Sequence, residues 1–357
     1  MQKCFFRKML TSCLIALMMV MPDFGSYNKV EAATTMQTLL YGGLAFAYIN
    51  SQLNNLNDKH QKDLLQQTQH KTDVYENEEM TARVDTITRR LMSNGLVKEH
   101  YAVYVTPDKS FNAFCTIGHV IAVNRGAMEL LDDDELAAVL GHEMSHGEHK
   151  DPIEGTKKTL GIGVLVDLYI NNNPNTTSAV LSGAAGNYVN NEVVTMQQEW
   201  NADNSGFANA VAAGYNPGGG AASMVVLRAK LGELWHEGLS KVINPNNHPK
   251  TSDRVNNFAK HLTEFSGGNV TVKNDKIVQL KGHDITTPGE AYGHMAQERA
   301  YLIAGNLARV YHSNTLSTAY IGDDGAIYIG EQLIMTPAQG DASAQDIVDK
   351  INAITGQ

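Results

Sequence analysis

Apolar residues recur along the chain with two different periods, and the switches between them divide it into segments. Over residues 36–53, Leu39, Leu40, Leu44, Phe46 and Ile49 fall largely on one side of a helix, which Gly42-Gly43 weakens. The Gln/Asn/Lys-rich stretch that follows to His70 predicts a solvated helix or a linker. A second helix is expected over residues 76–92, ended by Asn94-Gly95. Residues 101–105 and 119–123 then alternate like strands, separated by Pro107 and a polar turn, and predict a small sheet. Helical spacing returns over residues 133–146. There Asp132-Asp133-Asp134-Glu135 places negative charge where the helix dipole favours it, and Leu136, Val139 and Leu140 follow on one face. Residues 160–170 and 196–208 also read as helices. Further on, residues 269–281 predict a hairpin around Asn274-Asp275 and residues 295–311 a helix. A second hairpin is expected over residues 318–329 through Asp323-Asp324-Gly325, with a closing helix over residues 346–354.

These elements predict an α+β protein: a mainly helical domain with a small edge-forming sheet, followed by a small C-terminal α+β appendage. The N-terminus has the pattern of an export signal, with Lys3, Arg7 and Lys8 ahead of an apolar run over residues 9–21 and Val30-Glu31-Ala32 as small-residue cleavage context. The expected organisation is a signal peptide over residues 1–32 and an N-terminal helix with polar linker over 33–75. The main domain would cover 76–262 and the appendage 263–357. Retention of the signal as an anchor, or lipidation near Cys13, are the alternatives to cleavage. The expected location is the periplasm or cell envelope, or the medium if the source cell lacks an outer membrane.

Composition narrows the function. With 43% hydrophobic and 18% charged residues in 357, the chain is ordinary for a globular protein able to bury a large core. A formal charge of −10 and the absence of Lys/Arg runs exclude nucleic acid as a partner, since phosphates demand a basic footprint. Cleavage of the signal would remove Cys4 and Cys13 and leave Cys115 alone, so no internal disulfide could staple the mature fold. Cys115 reads as a small buried hydrophobe rather than a nucleophile.

The candidate chemistry lies in Gly141-His142-Glu143-Met144-Ser145-His146-Gly147-Glu148-His149. Four residues turn an α-helix by about 400° and advance it about 6 Å, so His142 and His146 project together and can hold one Zn2+. Glu143, about 100° round from His142, suits a general base that takes a proton from an attacking water. A third ligand is needed. His149 lies roughly 10.5 Å along the axis from His142, too far on a continuous helix. Glu199 and Asp203, four apart on the helix over residues 196–208, share a face. With Glu199 as a ligand, Asp203 is placed to accept the free ring N–H of a ligating histidine.

His142-Glu143-x-x-His146, then Glu199-x-x-x-Asp203 leading into Ala213-Gly214-Tyr215-Asn216-Pro217, then Asn247-His248-Pro249 with Ser252 and Arg254 close behind, resembles the HtpX-like and CAAX-prenyl-protease-type zinc metallopeptidases. Asn112-Ala113-Phe114 and the segment 119–126 add to the likeness, which covers roughly residues 76–260. The resemblance implies a gluzincin with His142, His146 and Glu199 as ligands of a single Zn2+, Glu143 as base and Asp203 supporting a ligand. It also implies that His248 reaches the active site, either to bind the oxyanion or to cap the zinc in a resting form. Arg254 would anchor that loop or the substrate backbone. The function implied is a zinc-dependent metalloendopeptidase acting on protein or peptide substrates, unfolded or misassembled envelope proteins among them. An extended substrate would pair with an edge strand at residues 119–123. The alternative is a latent zinc protein acting mainly as a holdase or assembly factor for envelope proteins.

The sequence departs from the integral-membrane relatives, because its best mature apolar stretches, residues 38–49 and 160–170, are too short to span a bilayer. Peripheral membrane association and oligomeric state stay open. Gly161-Ile162-Gly163 lacks the ending of a phosphate loop and reads as part of a packed helix. His283 and His294 read as structural or solvated rather than as ligands.

Overall fold

The computed structural model describes residues 28–171, 173–188, 194–232 and 249–356. Its first two elements are helices, α1 (Asn28–Lys59) and α2 (Gln61–Thr72). The polar stretch predicted as helix or linker is therefore a helix, and it is held by Leu64 and Thr68, which are buried. The expected cleavage point after Ala32 falls within α1, and the charged and apolar parts of the proposed signal lie outside the described residues.

Helix α3 (Glu78–Met92) starts where Asn77 accepts a bond from the Met80 amide, and its apolar side buries Val84, Ile87 and Leu91. A three-stranded sheet follows: β1 (Ala102–Thr106), β2 (Ala113–Thr116) and β3 (Val120–Asn124). The order is β1-β3-β2, with β3 parallel to β1 and antiparallel to β2. This corrects the expectation that residues 119–123 form an edge. They run into the central strand, whose backbone is paired on both sides, so no substrate strand can add there. The edges are β1 and β2. Strand β2 escaped the sequence reading because Ala113, Phe114, Cys115 and Thr116 are all buried and show no alternation. Cys115 is in the core, as expected.

After a short α4 (Arg125–Leu130) comes α5 (Asp133–Glu148), the helix that carries the histidines. Its start is fixed by a capping box: Asp132 accepts from the Glu135 amide and Glu135 accepts from the Asp132 amide. Lys150, with φ of 60°, turns the chain sharply into α6 (Asp151–Asn171). Helix α6 is kinked at Gly161, whose φ of 72° lies in the left-handed region. Beyond it are α7 (Pro174–Tyr188), α8 (Met196–Ala212), α9 (Gly219–Leu231) and α10 (Thr251–Phe265). Helix α6 packs on α1 and α7 in a separate core of Ile49 and Leu53 from α1, Leu165 and Leu168 from α6 and Leu181 from α7. It is less completely packed than expected, since Ile162 and Ile170 remain exposed. No helix among the described residues is long and apolar enough to cross a membrane.

The contact that organises the main core is between α5 and α8. A Cβ on Gly206 would lie 2.6 Å from the His142 backbone nitrogen, and one on Gly141 would lie 2.9 Å from the Gly206 carbonyl oxygen. The two backbones are thus in contact, with no side chain between them. Gly206→Ala gains about 1 kcal/mol of helix propensity but forces backbones apart, at an overpacking cost of about 1–3 kcal/mol. The expected result is a lower unfolding midpoint in urea together with weakened zinc binding, because Glu199 moves with α8.

The C-terminal part holds two three-stranded meanders around one helix. Strands β4 (Val270–Lys273), β5 (Ile277–Leu280) and β6 (His283–Thr286) form the first. Asn274 and Asp275, both at positive φ, make the predicted turn. Helix α11 (Ala296–His312), strands β7 (Ala319–Ile321), β8 (Ile327–Ile329) and β9 (Gln332–Met335), and α12 (Ala344–Thr355) complete it. Its core contains Leu262 of α10, Leu307 and Ile303 of α11 and Ile347 of α12. Helix α11 also packs on α9 and α10, which ties this part to the main core.

Candidate metal centre

Three helices build the site. On α5, His142 and His146 are one turn apart, both buried, with ring centroids 4.7 Å apart. Helix α8 begins at Thr195, in a second capping box with Gln198, and this start sets Glu199 in its first turn, facing the histidines. The Glu199 carboxylate oxygens lie 3.8 Å from His142 Nε2 and 3.5 Å from His146 Nε2. One ligand atom from each of the three residues lies within 4.8 Å of the others.

The other ring nitrogens are held by carboxylates. His142 Nδ1 is 2.9 Å from Asp203 Oδ1, and His146 Nδ1 is 2.8 Å from Asp151 Oδ2. Arg254 Nη2 also approaches His142 Nδ1, at 3.3 Å, but it bonds Asp203 Oδ1 at 2.5 Å, so the shorter imidazole contact is Nδ1–H donating to Asp203. With Nδ1 of each ring engaged by its own carboxylate, the two Nε2 atoms face each other at 3.1 Å. In the ring form that ligates a metal, each directs a lone pair there, and a shared proton or a metal cation holds the two together. Tetrahedral zinc with bonds of about 2.0–2.1 Å spaces its ligand atoms by about 3.4 Å. The separations of 3.1, 3.5 and 3.8 Å bracket that value, so these residues fit zinc.

The electrostatics divide the two histidines. Burial lowers the His142 pKa, against the pull of Asp203. For His146, burial acts in the same direction, but Asp151 and Glu199 outweigh it and hold the pKa well above its ordinary value. Burial also acts to raise Asp203, which is 0% exposed, yet Arg254 and His142 outweigh it and hold the carboxylate below its ordinary range. Arg254, on α10, donates through Nε and Nη2 to both Asp203 oxygens, and its Nη1 lies 3.7 Å from Glu199 Oε2.

Most of the sequence-predicted residues come together. His142, His146, Glu199, Glu143, Asp203 and Arg254 are all buried in one place. Arg254, expected to anchor a loop or the substrate, has its guanidinium bonded to Asp203 and 3.7 Å from Glu199. His149 caps the end of α5, exposed, with Nδ1 3.3 Å from Ser145 Oγ, and it does not join the cluster. His248 lies outside the described residues.

Sequence reasoning missed Asp151. The left-handed turn at Lys150 folds the start of α6 back so that Asp151 reaches His146, while Gln198 Nε2 donates to its other oxygen at 2.6 Å. The available signal was an acidic residue just after a predicted helix end. Asp151→Asn keeps an acceptor for His146 but removes the charge, and outer partners of this type support metal affinity by 10–100-fold. About a tenfold loss of zinc affinity is expected in competition with a chromophoric chelator.

The comparisons agree with this arrangement. Residues 78–262, more than half of the 357, match the family described as peptidase family M48. The chain is 36% identical over 87 residues to a protease HtpX homolog of Campylobacter curvus, covering 23% of this chain and 30% of the relative. It is 33% identical over 100 residues to a protease HtpX homolog of Thermococcus kodakarensis, covering 27% of this chain and 33% of the relative. A Lactobacillus helveticus homolog is 40% identical over 67 residues, covering 18% and 22%. The chain thus spans about a third or less of these relatives' length. The family match encloses α5, α8 and the part of α10 that carries Arg254, with every ligand and carboxylate of the centre, and the chain belongs to peptidase family M48.

Proposed function

We propose that the protein is a zinc-dependent endopeptidase that cleaves unfolded or misassembled proteins of the cell envelope. The observation that carries the reading is the pair of Nε2 atoms facing each other beside Glu199, each imidazole fixed through Nδ1 by its own carboxylate. His142, His146 and Glu199 would hold one Zn2+. When bound, the ion would polarise the scissile carbonyl and the attacking water.

The chain's own residues supply the proton transfers and the orientation. Glu143 is buried on α5 next to His142, close enough for its charge to raise both His146 and Arg254. It takes the water proton as the oxygen attacks the carbonyl carbon, then delivers it to the leaving amine nitrogen as the C–N bond breaks. Asp203 and Asp151 keep both ligating rings in the Nδ1–H form. Arg254 neutralises Asp203 and limits the negative charge around Glu199, a positioning part rather than one in contact with substrate. The resemblance gives His248 one of two roles, a donor to the oxyanion or a cap on the zinc in a resting form. The N-terminal charge and apolar pattern supports export, the relatives' name of protease supports protein substrates, and the restriction to unfolded envelope proteins rests on the resemblance alone.

Dialysis against a chelator should abolish cleavage of an unfolded, casein-like substrate, and one equivalent of Zn2+ should restore it. Cleavage that survives complete metal removal would sink the assignment. Protection of the substrate from aggregation without any cleavage would support a holdase instead.

A further inference from the structure

A second cluster lies where the start of α5 meets the turn before α11, and no part of the proposed catalysis uses it. Each of its three residues has one polar atom held and another turned inward. Asp132 Oδ1 accepts from the Glu135 amide at 2.8 Å, while its Oδ2 lies 3.9 Å from His294 Nε2. Glu135 is 0% exposed; its Oε2 accepts from the Asp132 amide at 2.9 Å, and its Oε1 is buried without an N–H donor, with the Glu298 carboxyl group adjacent. His294 Nδ1 is bonded to Glu298 Oε1, whose other oxygen accepts from the Met295 amide at 2.9 Å, so Nε2 is the ring nitrogen that faces Asp132. A tight turn with Tyr292 and Gly293 at positive φ, closed by bonds between Ala291 and His294, sets the position of the imidazole. One ligand atom from each of Asp132, Glu135 and His294 lies within 4.8 Å of the others.

The geometry points to a second divalent-cation site, formed by Asp132 Oδ2, the Glu135 carboxylate and His294 Nε2, that takes Zn2+ or an ion of similar preference and ties α5 to α11. The carboxylate–histidine relay from Glu298 through His294 repeats the arrangement of the first centre, Asp203 through His142 and Asp151 through His146. Two carboxylates and one imidazole suit zinc or manganese rather than a hard alkaline-earth ion. Asp132 and His294 retain partial exposure, so water can complete the coordination. Sequence reasoning set His294 aside as structural or solvated because its partners are 159 or more positions away, a separation that only the packing of α11 onto the main core closes.

The test is zinc stoichiometry on the full chain by metal analysis after equilibrium dialysis, with thermal unfolding alongside. Wild type should hold two equivalents, and both His294→Gln and Glu135→Gln should hold one. Glu135→Gln retains the capping box, since glutamine at that position also reaches the Asp132 amide, so loss of metal there is not loss of the helix start. His142→Ala/His146→Ala should keep one equivalent, and added Zn2+ should raise its unfolding midpoint only while His294 and Glu135 are intact. A wild type with a single equivalent that both His294→Gln and Glu135→Gln retain overturns the second site and leaves the catalytic reading standing. A single equivalent lost with His294→Gln and kept in His142→Ala/His146→Ala overturns the catalytic assignment instead.

Discussion

Glu143→Gln should lower kcat on an unfolded protein substrate by about 10³-fold, within the 10²–10⁴ range that positioned proton transfer supplies. Glutamine has the shape of glutamate but cannot take a proton from water or return one to an amine. The side chain is already buried on α5, so the replacement asks for no repacking. Zinc stoichiometry and the circular dichroism spectrum should be unchanged, since neither His142, His146 nor Glu199 is altered. The control separates chemistry from binding: KM should stay within a small factor of wild type. A variant that cleaves at near wild-type rate would remove Glu143 from the mechanism.

Asp203→Ala should be the most damaging single change to stability near the centre, costing about 3–5 kcal/mol, because it strips a two-point carboxylate partner from a buried cation. Asp203 accepts from Arg254 Nε at 2.8 Å and from Nη2 at 2.5 Å, and no water reaches it to take over when it is lost. The same change frees His142 Nδ1, so zinc affinity should fall by about 10–100-fold. Asp203→Asn leaves an acceptor for both neighbours and should recover part of each loss. Urea unfolding of the zinc-free proteins isolates the Arg254 effect, and chelator competition isolates the His142 effect. If the alanine variant unfolds at the wild-type urea concentration, Arg254 is not held by this pair.

The histidine helix and its acidic partner were legible because they are local. His142 and His146 need only one turn of helix, and Glu199 and Asp203 need only another, so i, i+4 spacing exposes both pairs. The capping boxes at Asp132/Glu135 and Thr195/Gln198 also lie within four residues, although the acidic start of α5 was read only as charge against the dipole. Asp151 was hidden because its reach depends on one left-handed residue, Lys150, and lysine carries no signal for that conformation. The sheet was hidden in a different way. Both long strands were found by alternation, but β3 is central because β2, four buried residues without alternation, adds to its far side. Arg254 was placed in the right region, but the partners it bonds there were not read from the sequence. Its neighbours, Asp203 and Glu199, come from a helix about fifty residues upstream, and only the packing of α10 beside α8 brings them into reach. The C-terminal hairpins were read from their turns, since Asn274-Asp275 and Asp323-Asp324-Gly325 fit sharp reversals.

The contact between Gly141 and Gly206 has a consequence for the cell as well as for the fold. A chain still unfolded carries two histidines on one segment and the third ligand on another, with nothing to hold them together. On the proposed reading, proteolytic competence would arrive only when the two bare helix backbones meet. A newly made or misfolded copy would lack an assembled centre, and folding itself would act as the switch.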